Sequence, residues 1–278
     1  MIELINKKEN IFGDDIAFVE QWDFSKANLN EENRILAITQ VASICYQSPK
    51  ALGSESLYNR LMAESMGLPS SSFEFVPVLL DPNNEQHQEV LALPYSNSKK
   101  FGELVEEGKY LLTNYRALVY DFENNPKSYS FDIRTIYNTL EECEIIKQHF
   151  KVFLYKVDFP TRSQMVRHRI NWQELSRRYV SGKRVPFEFY ISEKMKEVTS
   201  NGKSTQAVID LCVEHYYQAL EDGVKPQEAR RIIPQAGYSQ IWGGFMPTQL
   251  ENYFKLRLDA HAQWEIQKTA EAMRDLLA

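Results

Sequence analysis

The chain has 278 residues, of which 43% are hydrophobic and 25% charged, so it can bury a sizeable core in one large domain or two modest ones. Its formal net charge of -6 and pI of about 5.5 exclude general binding to nucleic acid or to anionic membranes. We expect no signal peptide, and the sequence contains no apolar stretch of the about 20 residues that span a bilayer. Its three cysteines are far apart and lack metal-site spacing, so we expect free thiols in a cytoplasmic protein.

Two helices are predicted near the start of the chain. Residues 33–48 carry apolar side chains at helical intervals. Residues 54–67 predict a second helix, which begins at Ser54 or Ser56 and ends at Gly67.

The next part of the chain mixes strand and helix signals. Residues 71–81 predict a strand, and Pro77 indicates that it lies at a sheet edge or contains a bulge, because proline cannot donate to the ladder. Residues 83–100 are polar and rich in turn residues. Helical periodicity returns in residues 102–122 and in residues 132–150.

The C-terminal half begins with a strand over residues 151–159, which ends at Pro160. A helix is predicted from about Thr161, and residues 185–192 predict a strand or an extended run. The further predicted helices are residues 204–223, 225–234, 247–256 and 259–278. Strands and helices without regular alternation indicate an α+β fold rather than a doubly wound sheet.

Positive charge is concentrated in residues 162–184, where seven Lys/Arg and one histidine accompany a single acid, Glu174. Like charges this close repel one another, so we expect an anion to compensate them. Arginines bind phosphate through paired hydrogen bonds, and a serine hydroxyl with nearby backbone N–H groups completes such a cradle. A solvated basic face paired with acidic neighbours is the alternative. The candidate phosphate-binding residues are Arg167, His168, Arg169, Ser176, Arg177 and Arg178.

A second group of polar residues lies in residues 249–273. Arg257 and His261 are four residues apart and share one face if the helix is continuous through Asp259. Asn252, Arg257, His261 and Gln263 alternate with large apolar residues, which indicates a polar pocket with apolar walls. A surface ion pair is the alternative for any one of these residues. Arg230 is a further cation near a helix end.

Several catalytic signatures are absent from the sequence. It contains neither a glycine-rich phosphate loop nor a G-x-S-x-G or H-E-x-x-H motif, and no cysteine has a setting that lowers its pKa. The residues therefore favour anion binding by arginines over a nucleophilic or metal mechanism.

The two polar segments together resemble the flavin-dependent thymidylate synthases. That family carries an Arg-His-Arg triplet followed after a spacer by a motif like N-E-x-S-x-R-Y, and here the corresponding residues are 167–169 and 173–179. The sequence "NYFKLRLDAHAQWEIQ" is similar to the family's C-terminal block, and "LEDGVKPQEARRIIPQAGYSQ" is similar to the segment before it. The resemblance covers residues 160–278 well and the N-terminal helices more weakly.

The resemblance implies a fold and a chemistry. The fold is a central antiparallel or mixed sheet flanked by helices, in a single domain of residues 1–278 with an insertion at about 83–150. The implied reaction converts dUMP to dTMP with FAD, NADPH and 5,10-methylenetetrahydrofolate, without a cysteine nucleophile. An arginine facing the pyrimidine, by position Arg257, makes C5 more nucleophilic. The family also implies a homotetramer whose active sites are shared between chains.

Individual roles follow from the family's motifs. The implied catalytic residues are Arg257 and Ser176. The implied flavin-binding residues are Ser65, Arg167, His168, Arg169, Asn252 and His261. The implied substrate-binding residues are Gln164, Arg167, Glu174, Leu175, Ser176, Arg177, Arg178, Arg230 and Arg257.

The sequence also departs from the family pattern. The spacer between Arg169 and Ser176 is one residue shorter, and an Asn-x-Arg pair that often helps to hold flavin is replaced by Met246 and Thr248. The same chemistry on another pyrimidine nucleotide, UMP or dCMP, is therefore a second hypothesis. A catalytically silent protein that binds a nucleotide or single-stranded nucleic acid is a third.

Overall fold

The computed structural model describes residues 2–63 and 68–278. The strands in these residues are β1 (Glu3–Glu9), β2 (Phe18–Asp23), β3 (Pro77–Leu80), β4 (Glu103–Val105), β5 (Tyr110–Asn114), β6 (Lys151–Asp158), β7 (Asn171–Glu174), β8 (Thr199–Ser200), β9 (Lys203–Ser204) and β10 (Tyr238–Phe245). The α-helices are α1 (Glu31–Tyr46), α2 (Glu55–Met62), α3 (Glu85–Ala92), α4 (Asn97–Lys100), α5 (Tyr115–Asn124), α6 (Leu140–His149), α7 (Phe159–Met165), α8 (Glu193–Lys196), α9 (Thr205–Glu221), α10 (Pro226–Ala229), α11 (Pro247–Arg257) and α12 (Trp264–Leu277).

The main sheet has five antiparallel strands in the order β1-β2-β6-β10-β7. Both faces are covered at the central strands β6 and β10, whereas every residue of the edge strand β1 is exposed. Leu154 of β6 and Trp242 of β10 pack on one side with α1 and α2, whereas Tyr155 and Ile241 pack on the other side with α12. Alternate residues of the same strand therefore serve two cores, as the period of two in a strand requires. The predicted α+β class with an antiparallel sheet is confirmed.

A second, three-stranded antiparallel sheet has the order β3-β5-β4. Pro77 is the first residue of β3, an edge strand, so the predicted edge position is confirmed. Leu112 and Tyr115 of the segment 83–150 share a core with Trp242 of the main sheet. The boundary of an insertion at this segment stays a prediction.

Local signals explain several helix ends. The side chain of Asn30 accepts a hydrogen bond from the Asn33 N–H and caps α1, and Ser54 caps α2 in the same way. The predicted start at Ser54 is confirmed, while the predicted end at Gly67 lies outside the described residues. Thr139 and Glu142 form a reciprocal capping box at the start of α6.

The predicted helix over residues 102–122 is wrong in its first half. That half forms β4 and β5, joined by a turn in which Glu106, Glu107 and Gly108 have positive φ. All five residues of β5 are buried, so its apolar run lacks the alternation that distinguishes a half-exposed strand. The predicted helix over residues 132–150 is also too long, because only α6 is α-helical. Conversely, the turn-rich residues 83–100 contain α3 and α4.

The arginine segment is not a continuous helix. The predicted helix α7 starts at Phe159 and ends at Met165, so the triplet 167–169 lies in the turn that follows it. β7 then pairs with β10, an arrangement that pattern analysis missed because β7 is only four residues long. The helix predicted from about Thr161 therefore extends only to Met165, and residues 176–178 do not lie on it.

Candidate active site

The turn between α7 and β7 is held by its own backbone. The His168 N–H donates to the Met165 carbonyl at 3.1 Å, and the Ile170 N–H donates to the His168 carbonyl at 3.0 Å. The indole N–H of Trp172 donates to the same His168 carbonyl at 3.0 Å. Trp172 also packs against Gly243, where a Cβ atom would lie 2.5 Å from the indole ring. The main sheet thus fixes the position of the triplet.

Arg257, the last residue of α11, reaches this turn from the C-terminal half of the chain. Its Nε donates to Nε2 of His168 at 2.8 Å, and a terminal nitrogen donates to the Gln164 carbonyl at 2.8 Å. The guanidinium is therefore held in two directions by uncharged acceptors. Its positive charge is oriented but not neutralised.

His168 is a neutral acceptor in this arrangement. Burial and the neighbouring Arg257 charge lower the pKa of His168 below its ordinary value of 6.5. Because Nε2 accepts from Arg257, the ring proton belongs on Nδ1. The imidazole also packs on Tyr253, with ring centroids 4.8 Å apart. A protonated ring would have no lone pair for Arg257 and would repel it.

A cleft of about 390 Å³ opens beside this pair. The residues that line it are Arg167, His168, Arg169, Ile170, Gln249, Asn252, Leu256 and Arg257. Arg167, Arg169 and Arg257 form no ion pair with a carboxylate among residues 2–63 and 68–278. Burial and the Arg167 charge lower the pKa of Arg257 from its ordinary value. The cleft is therefore built to receive negative charge.

Sequence reasoning missed two residues that organise this cleft. Gln249 accepts from the Met246 N–H at 3.0 Å and donates to the Arg169 carbonyl at 3.3 Å, so it joins the start of α11 to the triplet. Its position three residues after Met246 is that of a capping-box residue, which was an available signal. Tyr253, one helical turn before Arg257, is fully buried beneath His168.

The segment after β7 forms a second structured loop. The N–H of the buried Leu175 donates to the Gln240 carbonyl at 2.9 Å, and the Ser176 N–H donates to the Cys45 carbonyl at 3.3 Å. The Ser176 carbonyl accepts from the N–H groups of Tyr179 and Val180, which follow it closely in the chain. The N–H groups of the intervening residues 177 and 178 donate to no acceptor within the described part of the chain. These two amides and the Ser176 hydroxyl are available to an anion.

The two arginines of this loop differ. Arg177 is half-buried, donates to the Val185 carbonyl at 2.6 Å and lies over the Phe187 ring. The structure therefore uses it to hold the following loop. Arg178 is exposed, lies near the Tyr179 ring and makes no ion pair in the described ranges. Arg178 is thus free to meet a ligand.

Glu174, the acid of the cationic segment, forms an ion pair with Arg162 of α7. The Arg162 side chain is only 12% exposed, and burial lowers its pKa from the ordinary value. The pair fastens the end of β7 to α7, the helix that also carries Gln164. Gln164 itself donates from its side chain to Gln263 at 2.6 Å.

Arg257 and His261 do not share a helix face, so that expectation is wrong. α11 ends at Arg257, and the carboxylate of Asp259 accepts from the His261 N–H at 2.8 Å in a turn before α12. This local side-chain bond competes with helix continuation. The His261 side chain is 97% exposed and bonds Asp259 rather than the cleft.

Of the remaining predicted site residues, Asn252 belongs to the cleft, Arg230 does not, and Ser65 lies outside the described residues. Arg230 is exposed in a short 3-10 helix after α10, and its neighbour Arg231 pairs with Glu228. Asn252 lines the cleft from α11. The structure therefore unites Gln164, the triplet, Asn252 and Arg257, and separates them from Arg230 and His261.

Three further observations bear on chemistry. Cys143 is a buried free thiol and Cys212 a half-buried one, as predicted, and the buried Cys45 sulfur accepts from the Gln173 side chain at 2.7 Å. Burial raises the pKa of the Cys143 thiol to about 11. Among the described residues, no group of three or more His, Cys, Asp or Glu could hold a metal ion. Within the same residues, every helix is too short or too polar to traverse a bilayer.

Comparisons with known proteins identify the family of the chain. A sequence model of the family described as thymidylate synthase complementing protein matches residues 137–278. The flavin-dependent thymidylate synthase of Thermotoga neapolitana is 30% identical over 190 residues, which cover 63% of this chain and 84% of that protein. The enzyme of the same name from Thermosipho africanus is 33% identical over 139 residues, which cover 43% of this chain and 60% of that protein.

One solved structure is also similar, a UMP/dUMP methylase PolB from Streptomyces cacaoi bound with 5-Br UMP. It is 24% identical with a TM-score of 0.38, over 46% of this chain and 69% of that chain.

The sheet and the arginine-lined cleft define an α+β protein whose cleft carries cations without a carboxylate partner in the described residues. The family match spans the helices and turns that build this cleft. The chain belongs to the thymidylate synthase complementing protein family, whose relatives carry the name flavin-dependent thymidylate synthase. The resemblance seen in the sequence is confirmed.

Proposed function

We propose that this chain converts dUMP to dTMP, with methylenetetrahydrofolate as one-carbon donor, FAD as cofactor and NADPH as reductant. The observation that carries the proposal is the Arg257 guanidinium, held by neutral His168 and the Gln164 carbonyl in a cleft of unpaired cations. A charge fixed in this way acts on a ligand without competition from an internal carboxylate.

The residues present fit a flavin and a nucleotide, both of which carry phosphate. Arg116, Arg134, Arg162, Arg231 and Arg274 each pair with a carboxylate. By contrast, in the described ranges the arginines that the family resemblance assigned to ligands make no such pair, namely Arg167, Arg169, Arg177, Arg178, Arg230 and Arg257. Arg34, Arg60 and Arg184 also lack a carboxylate partner there, so the absence of a partner supports anion binding only together with the cleft that the triplet and Arg257 line.

The roles of the chain's own residues follow from these contacts. Arg257 faces the pyrimidine and stabilises negative charge that spreads over the ring, which makes C5 more nucleophilic. His168 holds that guanidinium and stays neutral, so it adds no competing charge. The triplet and Asn252 hold the flavin, which supplies the reducing hydride when bound. Ser176 and the amides of residues 177 and 178 hold the nucleotide phosphate.

The exposed cations outside the cleft support a shared site. Arg178, Arg230 and the His261 side chain face solvent in the single chain. In our proposal they reach ligands in a homotetramer whose active sites combine residues from several chains, with His261 on the flavin and Arg230 on the phosphate. Glu174, paired with Arg162, sets the position of Leu175 and Ser176 beside the nucleotide. We place the reaction in the cytoplasm.

The test is a turnover assay on the purified protein with added FAD. We expect oxidation of NADPH that depends on both dUMP and methylenetetrahydrofolate, with dTMP identified by mass. A protein that binds no FAD and forms no methylated nucleotide would contradict the proposal.

A second candidate is the same reaction on UMP or dCMP. The shortened spacer supports it. Residues 171–174 form the strand β7, so the main sheet fixes the position of Ser176 and of the amides of residues 177 and 178, which hold the phosphate in our proposal. A panel of pyrimidine monophosphates under identical conditions distinguishes the two, since turnover of dUMP alone would remove this candidate. Nucleotide or oligonucleotide binding without turnover on any member of the panel would favour the silent binding protein instead.

A further inference from the structure

A second, larger pocket lies directly beyond the cleft. It has a volume of about 650 Å³ and shares Arg169, Ile170 and Gln249 with the cleft. Its outer wall consists of residues 97–103 and 114–120, from α4, β4 and α5. These residues precede the family match at 137–278, so the wall belongs to the part of the chain that the family model does not describe.

The cations that line this pocket differ in whether they already pair with a carboxylate. Arg116 pairs with Glu74, and its other nitrogens donate to the Pro69 carbonyl and the Tyr120 hydroxyl. Lys100 and Arg169 make no ion pair with any carboxylate in residues 2–63 or 68–278. Two cations of the lining are therefore left for a ligand, one at each side of the pocket.

The helix terminus in this pocket is already occupied. The Glu103 carboxylate accepts from the Thr248 N–H at 3.0 Å and also from the Thr248 hydroxyl. Glu103 thereby caps the N-terminus of α11, whose positive end would otherwise attract a phosphate. Because Glu103 lies on the same wall as Lys100, it would repel a multiply charged phosphate there more strongly than a single carboxylate on Lys100.

The rest of the lining suits an aromatic group. Tyr120 and the 53% exposed Phe101 offer ring surfaces beside Ala117, Ile170 and Met246. The ligand chemistry that matches is a ring linked to a carboxylate, entering from the cleft. Among the molecules of the proposed reaction, only the folate has this chemistry, in its aminobenzoyl-glutamate tail.

We propose that this pocket binds the aminobenzoyl-glutamate tail of the one-carbon donor, with Lys100 on the glutamate carboxylate. The inference rests on the proposed function, because it takes the donor from that reaction. The competing occupant is the adenosine diphosphate half of the flavin, which is also an anion with a ring.

The test compares two unreactive probes, folic acid and the carboxamide of pteroic acid, which lacks the glutamate and ends in an uncharged amide. Their dissociation constants for the flavin-loaded protein are measured by titration calorimetry. We expect folic acid to bind about fivefold more tightly, and Lys100→Ala to abolish most of this difference. Lys99→Ala is the matched control, because Lys99 donates to the Leu93 carbonyl and does not line the pocket. It should leave the difference intact.

Three results of this binding experiment would overturn the inference. They are equal affinities for the two probes in the unmodified protein, an undiminished difference in Lys100→Ala, and displacement of folic acid by ADP. Failure of the proposed function is read separately, from the turnover assay. A loss of the probe difference in Lys100→Ala supports the pocket even if no dTMP forms. Normal turnover with unchanged folate KM in Lys100→Ala refutes the pocket alone.

Discussion

Arg257 donates from Nε to Nε2 of His168 over 2.8 Å, and this bond joins the two polar segments of the sequence, 89 residues apart. A cation is held here by a ring that must stay neutral. The pair makes the position of the guanidinium depend on burial, on α11 and on the protonation of one histidine.

Arg257→Ala should retain flavin and lose most turnover. Removing the guanidinium removes the oriented charge but leaves Arg167 and Arg169 in the cleft. We expect kcat to fall roughly 100- to 1,000-fold, as for other preorganised donors. Stopped-flow turnover and flavin absorbance measure the two properties. Lys255→Ala, an exposed change on the same helix, is the control. Near-normal turnover of Arg257→Ala would show that another group activates the ring.

The His168 contact should weaken in acid. Because the pKa of His168 is lowered in the folded protein from 6.5, the unfolded chain takes up this proton first. The corresponding stability is complete above pH 6.5 and is lost as the pH falls from 6.5 towards the folded pKa. Burial also lowers the pKa of His87, so His87 contributes to the pH dependence of stability with the same sign. The difference in stability between the wild type and His168→Gln therefore isolates the contribution of His168.

We therefore expect the Tm advantage of wild type over His168→Gln to shrink between pH 7.5 and pH 5.5. Calorimetric scans at matched ionic strength measure it. A difference that stays constant or grows in acid would mean that His168 is not a neutral acceptor.

Arg177 and Arg178 are adjacent, but replacing each with alanine should impair a different property of the protein. Arg177→Ala removes the bond to the Val185 carbonyl and the contact with Phe187, so we expect a loss of about 1–2 kcal/mol in unfolding free energy. Arg178→Ala should leave stability within about 0.5 kcal/mol and raise the KM for the nucleotide. Urea unfolding and steady-state kinetics on both variants decide. Two variants with the same defect would contradict this division.

Glu103 should stabilise α11 from outside the family-matched region. Glu103→Ala removes the acceptor of the Thr248 N–H and hydroxyl, with an expected cost of about 1–2 kcal/mol. Thr248→Val and the double variant complete a cycle, in which we expect the losses not to add. Glu251→Ala, exposed on α11, is the control. Additive losses would show that the two residues act independently.

Arg34 should be the costliest arginine to replace. It is 2% exposed and stacks 3.8 Å from the Tyr115 ring centroid. It donates to the carbonyl groups of Arg134 and Ile136 and to the Asn28 side chain. Arg34→Met leaves the Arg134 carbonyl and the Asn28 side-chain oxygen without this donor, whereas the Ile136 carbonyl keeps the Asn28 side-chain N–H, and we expect a loss of about 3 kcal/mol or more. Chemical denaturation measures it against Arg60→Met at an exposed site. A loss similar to that control would refute the role.

Prediction from the sequence succeeded where local chemistry is decisive. Ser54 as a cap, Pro77 at a sheet edge and the helix α11 all follow from short-range preferences and are confirmed. It failed at β5, because a strand buried on every side shows no alternation. It also failed at β7, where four residues are too few for a periodic signal.

The sequence by itself determined the chemical inventory of this protein: an acidic chain with a local excess of arginines, a family-specific triplet and helices with defined starts. These features depend on residue type and spacing alone. Only the tertiary structure decided which arginines stay unpaired, that His168 rather than a carboxylate accepts from Arg257, and that His261 faces solvent. The reason is that desolvation and hydrogen-bond partners depend on contacts between residues far apart in the chain, and no local pattern encodes them.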